Sequence, residues 1–305
     1  MKTLENCSEI RDLAAKLGVS AAVNPQGIVD WCLARVAGWV QEVGGVQSSG
    51  QLEALICQKL ATSVEEIHSE ADFARLEAKF AHLGRDLVFA GLRGLFRPSV
   101  FGALIRRSNS HAGDLAQFVA VVDCRGVKAN RRWFTRWHEL AHRLTTHADL
   151  PVIQFREAHS PIEKLVDEVA SHLGFYPPLM RKALADIGAW QSSLSFECVE
   201  KVQAFFDGAS FHATLLACVR EFPHPVTYLE VIRGSQRLEI TRMLSSKAVV
   251  SDPSIDFLTT QGGVLDSLLD SEDYTQIRQA YPQGLFQARK VPDRAYGIFT
   301  WGQTP

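Results

Sequence analysis

Apolar residues recur every three or four positions through the first 43 residues, at Leu13, Ala14 and Leu17 and then at Ile28, Trp31, Cys32, Val36 and Trp39. That period predicts amphipathic helices. The run Gly44-Gly45-Val46-Gln47-Ser48-Ser49-Gly50 reads as a short flexible connector, after which Leu52, Leu55, Ile56 and Leu60 resume the helical stripe. Then the texture changes. Val100 to Arg106 and Gln117 to Cys124 are short runs rich in β-branched and apolar residues, predicting two strands joined by the polar turn 108–113. Helical periodicity returns from about 130 to 220 in four or five pieces, punctuated by Pro151, Pro161 and Pro177-Pro178. Beyond Pro223, Val226–Ile232 and Leu238–Met243 predict a β-hairpin across a Gly-Ser-Gln turn, and Tyr296–Trp301 a late strand. The expected class is α+β. A larger domain would span 1–222, with a helical lead over 1–43, and a smaller α+β domain would span 223–305.

Composition narrows the function classes. The 305 residues are 46% hydrophobic and 22% charged, which excludes fibrous, low-complexity and disordered chains. Met1 to Asn6 leads into no apolar segment, and no run approaches the ~18 uncharged apolar residues of a membrane span. The expectation is a cytoplasmic, membrane-free protein. Its six cysteines are scattered without a CxxC pair, so free thiols are expected. The net charge of −2 hides an uneven distribution. Residues 85–143 hold 11 basic and 4 acidic side chains, between two acidic flanks. Nothing in the pattern reports on oligomeric state.

The residues that carry chemistry are His138-Glu139-Leu140-Ala141-His142. On a helix the two histidines stand one turn apart on one face, able to converge on a metal ion, while Glu139 can serve as general base toward its water. Trp133, Trp137, Leu140 and Leu144 supply the apolar stripe of such a helix. A catalytic zinc needs a third protein ligand and an open fourth position. After 20 intervening residues comes Glu163, on a second helix that Ser160-Pro161 opens and that carries Glu163 and Asp167 at i and i+4. Glu163 is the expected third ligand, and Asp167 the group that fixes the tautomer of a ligating imidazole. Asp167 and Glu168 stand next in line as ligands should Glu163 not serve.

The segments Phe134-Thr135-Arg136-Trp137-His138-Glu139-Leu140-Ala141-His142 and Glu163-Lys164-Leu165-Val166-Asp167-Glu168-Val169-Ala170, with Pro177 following, resemble the ImmA/IrrE family of bacterial metallopeptidases. The match covers about 120–180. It departs at Val166 and Val169, and at Gly174-Phe175-Tyr176, where that family carries a Leu-Leu pair. The resemblance implies a zincin-like, mostly helical core with a small sheet, a catalytic segment over about 100–180, and one Zn²⁺ per chain. It further implies an endopeptidase that cuts a helix-turn-helix repressor and so derepresses stress, DNA-damage or anti-phage defence genes. A GAF-like sensory domain would suit 223–305.

Several finer expectations follow. Tyr176 and His172, which come after Glu163, are candidate oxyanion donors. Cys124, 14 residues before His138, is a candidate inhibitory fourth zinc ligand, against the plainer reading of a small buried residue. Arg125, Lys128, Arg131 and Arg132 are candidate nucleic-acid contacts, against the plainer reading of a neutralised charged face. Given the family's tie to DNA damage, single-stranded DNA would be the activator. The alternative from another class is a non-catalytic, zinc-containing regulator that responds to DNA or a ligand through binding alone.

Overall fold

The periodic N-terminal segment forms helices α1 (Ser8–Lys16), α2 (Pro25–Glu42) and α3 (Ser49–Lys59) in the computed structural model. That structure describes residues 7–20, 25–83, 87–108, 116–145, 153–155, 160–189, 193–234, 238–246, 263–270 and 276–302. Ser48, at the end of the predicted connector, caps α3 by accepting the Gln51 amide. Next come β1 (Thr62–Ile67), α4 (Glu70–Leu76), a π-helical stretch (Glu77–Leu83), a short 3₁₀ turn and α5 (Leu92–Leu95). Strands β2 (Gly102–Arg106) and β3 (Phe118–Asp123) form the expected antiparallel pair, although most of the expected turn between them lies outside the described residues. A 3₁₀ segment (Gly126–Arg131) leads into α6 (Arg132–Thr145), followed by β4 (Ile153–Phe155) and α7 (Pro161–Gly174).

These strands make a mixed four-stranded sheet in the order β1-β3-β2-β4, with β1 parallel to β3. Alternation along β2 and β3 divides their apolar residues between two faces. Ala103, Ile105, Val119 and Val121 join Phe73, Leu76, Phe80, Phe89 and Phe96 in one core cluster. Leu104, Phe118 and Ala120 form the other. Gly102 shares the Leu104 side, and there α6 lies close against the sheet.

The chain divides into two units at 176/177. This is earlier than the expected boundary at 222. Helices α8 (Pro177–Asp186), α9 (Phe196–Gln203) and α10 (Phe211–Glu221) group with the C-terminal sheet, because α10 packs on its first two strands as well as on α8 and α9. That sheet comprises β5 (Val226–Arg233), β6 (Leu238–Ser245), β7 (Gln276–Tyr281), β8 (Gly284–Val291) and β9 (Arg294–Trp301). All its pairings are antiparallel, in the order β6-β5-β9-β8-β7. Leu229, Val231, Phe286 and Phe299 form its core with Leu265 and Leu268 of α11 (Val264–Asp270). The protein is therefore α+β, with a mixed sheet in one unit and an antiparallel sheet in the other. Among the described residues no helix is long and apolar enough to cross a membrane.

Candidate metal centre

Helix α6 buries Trp133, Trp137, Leu140 and Leu144 along its apolar stripe, and with them His138, Glu139 and His142. Polar groups this deep need partners. They find them on α7, which approaches closely because Gly174 offers no side chain at the crossing. A Cβ there would stand 2.5 Å from Trp133 Cη2 and 2.9 Å from Trp137 Cδ1. Phe175 completes the joint, its ring 4.6 Å from that of Trp133. The crossing sets the first two turns of α7 beside the two histidines.

Three side chains converge. His138 Nε2 lies 3.0 Å from His142 Nε2 and 3.1 Å from Glu163 Oε2, and His142 Nε2 lies 3.3 Å from Glu163 Oε1. Asp167, one turn along α7, holds the other ring nitrogen of His138, Nδ1, at 2.9 Å. With Nδ1–H donated to that carboxylate, His138 presents the lone pair of Nε2 to a second imidazole and a second carboxylate. Glu163 Oε2 is buried without a hydrogen bond of proper geometry despite its neighbours. Lone pairs aimed at one another are held together by a proton or by a cation. Burial opposes protonation of His138, but the Asp167 and Glu163 carboxylates outweigh it and raise this imidazole to about 9. Complete burial is the main cause that lowers His142. Burial would raise Glu163, yet the two imidazoles bring it down to about 2.

A metal ion fits the same place. Bonds of about 2.0–2.1 Å in a tetrahedron put neighbouring ligand atoms about 3.3 Å apart, which the present separations already approach. His138, His142 and Glu163 thus form a buried group that could hold a metal ion. Asp167 stands where it fixes the His138 tautomer.

Glu139 follows His138 on α6, and its charge acts on that imidazole. Its position depends on a residue the sequence reading passed over. A Cβ on Gly102 would fall 2.5 Å from Glu139 Oε1 and 2.6 Å from Thr135 Cγ2, so only glycine lets the start of β2 lie against this carboxylate. A glycine inside the apolar run Phe101-Gly102-Ala103-Leu104 was the available sign, since a strand glycine often marks a close backbone approach.

Other expected participants fall elsewhere. His172 stands nine residues after Glu163, about half a revolution round α7 and about 13 Å along it, and it pairs with Glu168 at 3.4 Å. Tyr176 lies beyond the C-terminal end of that helix, while Glu163 is in its first turn. Both stand toward the opposite end of α7 from Glu163, and His172 does not join the His138–His142–Glu163 group. Cys124 does not join the group either. Its amide donates to the Ile67 carbonyl at 2.8 Å, and the thiol lies beside Glu66 and His68, a position set by the parallel pairing of β1 and β3. Burial, with Glu66 next, raises this thiol to about 11.

The basic segment is largely neutralised. Arg125 pairs with Asp123 and Glu70, and Arg132 with Glu66 at 2.7 Å. Lys128 is buried, donating to Asp123 at 2.6 Å and to the carbonyls of Arg97 and Val100. Arg131 lies over the Phe101 ring at 4.6 Å. Three of the four cations are thus matched by carboxylates, while Arg131 packs on an aromatic ring.

No protein-family profile and no characterised protein matches the sequence. Among solved structures, the chain is similar to a Mycobacterium tuberculosis transcriptional regulator, at 12% identity and a TM-score of 0.46, over 98% of this chain and 81% of that one.

Proposed function

We propose that this protein is a zinc-dependent endopeptidase of the ImmA/IrrE type, with a zincin-like core and one catalytic Zn²⁺ held by His138, His142 and Glu163. The convergence of those three side chains, with the buried Glu139 carboxylate on the same helix as the two histidines, carries the reading. When bound, zinc would supply Lewis-acid polarisation of the peptide carbonyl and acidification of its water. The residues do the rest. Asp167 keeps His138 in the tautomer that offers Nε2, Gly102 leaves room for Glu139, and burial strengthens every charge interaction in the site. Glu139 takes a proton onto a carboxylate oxygen as the nucleophile forms and returns it to the departing amine.

The expected substrate is a helix-turn-helix repressor, cut to release its genes for stress, DNA-damage or defence responses. The antiparallel order of the C-terminal sheet suits the GAF-like sensor expected there. The reading is tested by incubating the zinc-loaded protein and its Glu139→Gln variant with a proteome-derived peptide library and counting new N-termini by mass spectrometry. Cleavage should fall about 10²–10⁴-fold in the variant while zinc content stays the same. Equal counts from the two proteins would overturn the peptidase reading and favour a regulator that acts through binding.

A further inference from the structure

Apart from the His138 group, one further set of metal-binding side chains converges among the described residues. Ligand atoms of Glu66, His68 and Cys124 lie within 4.8 Å of one another. Backbone pairing brings them together across 56 residues of sequence. Strands β1 and β3 run parallel with Ile67 beside Asp123, so Cys124 leaves one strand next to the point where His68 leaves the other. His68 Nε2 is 3.0 Å from Glu66 Oε2. The other oxygen of that carboxylate, Oε1, accepts from Arg132 Nε at 2.7 Å and lies 3.5 Å from an Arg136 nitrogen. One oxygen is therefore fixed by a guanidinium and the other faces the imidazole. That is the form of a ligating carboxylate whose second oxygen is bound outside the metal's own shell. Glu66 and His68 also line a cavity of about 530 Å³, which provides an entry path.

We propose that Glu66, His68 and Cys124 form a second metal site, for a borderline or soft divalent ion such as Zn²⁺, separate from the His138–His142–Glu163 group. A thiolate and an imidazole select such ions over Mg²⁺ or Ca²⁺, and three protein ligands leave a fourth position for water. Ligand atoms around zinc stand about 3.5 Å apart when sulfur is among them, so the set need close by no more than about 1.3 Å. The exposed side chain of His68 has the freedom to do so. Occupancy would tie the ends of β1 and β3 together next to Arg132, the first residue of α6. The site does not depend on the peptidase reading.

Cobalt distinguishes the two sites, because thiolate ligation gives a near-ultraviolet charge-transfer band that two histidines and a glutamate cannot. Full-length metal-free protein titrated with Co²⁺ should bind two ions per chain and develop the band. Cys124→Ser should abolish the band and leave one ion, and His68→Ala should weaken the second ion at least tenfold. His142→Ala should keep the band, as should Cys57→Ser, whose residue lines the same cavity. A band in protein that binds a single ion supports this site while counting against the His138 group. Folded wild-type protein without the band, or a band that survives Cys124→Ser, overturns the proposal.

Discussion

Each unit of the molecule buries a polar cluster containing histidine, and the two are finished differently. In the C-terminal unit, Glu230 Oε1 pairs with Arg294, and Oε2 lies 3.5 Å from the Tyr228 hydroxyl. His212 Nε2 is 3.1 Å from that same hydroxyl, and its ring stacks on Tyr296 with centroids 5.0 Å apart. Acid, base, hydroxyl and ring each meet a complement, so this set closes on itself. In the N-terminal unit, His138, His142 and Glu163 turn acceptors toward one another and leave Glu163 Oε2 without a proper donor. A closed cluster is architecture. An acceptor set that converges without a donor leaves room for a cation, and burial alone does not separate the two cases.

Removing a ligand should break this contrast most sharply. His142→Ala or Glu163→Ala should lose the metal measured by elemental analysis, whereas His212→Ala should leave metal content at the wild-type level. Asp167→Asn should weaken affinity by about 10–100-fold, the usual cost of losing a group that orients a ligating imidazole. Metal retained in both ligand variants would show that the N-terminal cluster, too, is only architecture. Next in size is Gly102→Ala. The added methyl meets two side chains, the flexible end of Glu139 and the buried Thr135 methyl, rather than backbone, so the chain should fold at some cost in stability and keep its metal. If the protein acts as the proposed peptidase, displacement of Glu139 should slow peptide cleavage by about 10²-fold, the scale of a 1 Å misplacement. Undiminished cleavage would mean that Glu139 is not positioned by β2.

The contrast between clusters also explains which parts were legible beforehand. The ligand set was readable because helical spacing is local: His138 and His142, and likewise Glu163 and Asp167, each sit one turn apart within a single element. So was the β5–β6 hairpin, whose alternating Val, Tyr, Leu and Ile residues mark it. Strand β1 was not. Its sequence Thr-Ser-Val-Glu-Glu-Ile is polar at four of six positions because it lies at a sheet edge, and its pairing with β3 spans more than 50 residues. Missing β1 meant missing Glu66 and His68 as the neighbours of Cys124, so its thiol was weighed only against the His138 group and the plain reading of a buried residue. The polar edge strand β7 escaped for the same reason. Gly102 and Gly174 act through the side chain they lack, which no hydrophobic period records. The boundary near 222 followed a change of texture from helix to strand, while the packing of α10 on β5 and β6 follows contacts that texture does not encode.

A smaller effect tests the closed cluster directly. Glu230→Ala would take one carboxylate from Arg294, which keeps Asp293, and one acceptor from the buried Tyr228 hydroxyl, which keeps His212, at a cost of about 0.5–1.5 kcal/mol. Hydrogen exchange of the β5 and β9 amides should report that loss, with metal content unchanged. Exchange as slow as in the wild type would show that the cluster contributes nothing to holding the sheet.

The smallest effect is one of pH. Burial, with Arg242 and Arg294 adding to it and Glu230 opposing, holds His212 below the usual imidazole range. Tyr228 and Tyr296 complete its surroundings and stay neutral, since burial raises both phenols. The unfolded chain takes up the His212 proton near pH 6.5, and the folded protein only at lower pH. Between those two values the unfolded state binds more protons, so this contribution is full above about pH 6.5 and is lost as pH falls toward the folded value. Because the side chain is 32% exposed, solvent screens the charge and the slope should be shallow. The β5 and β9 amides should therefore exchange from a less protected state, after correction for intrinsic rates, as the pH is lowered from about 7 to 5. His212→Asn should flatten that dependence, and Glu230→Gln, by removing the one opposing charge, should steepen it. An equal slope in His212→Asn would assign the pH dependence to another group and leave the closed cluster electrically silent.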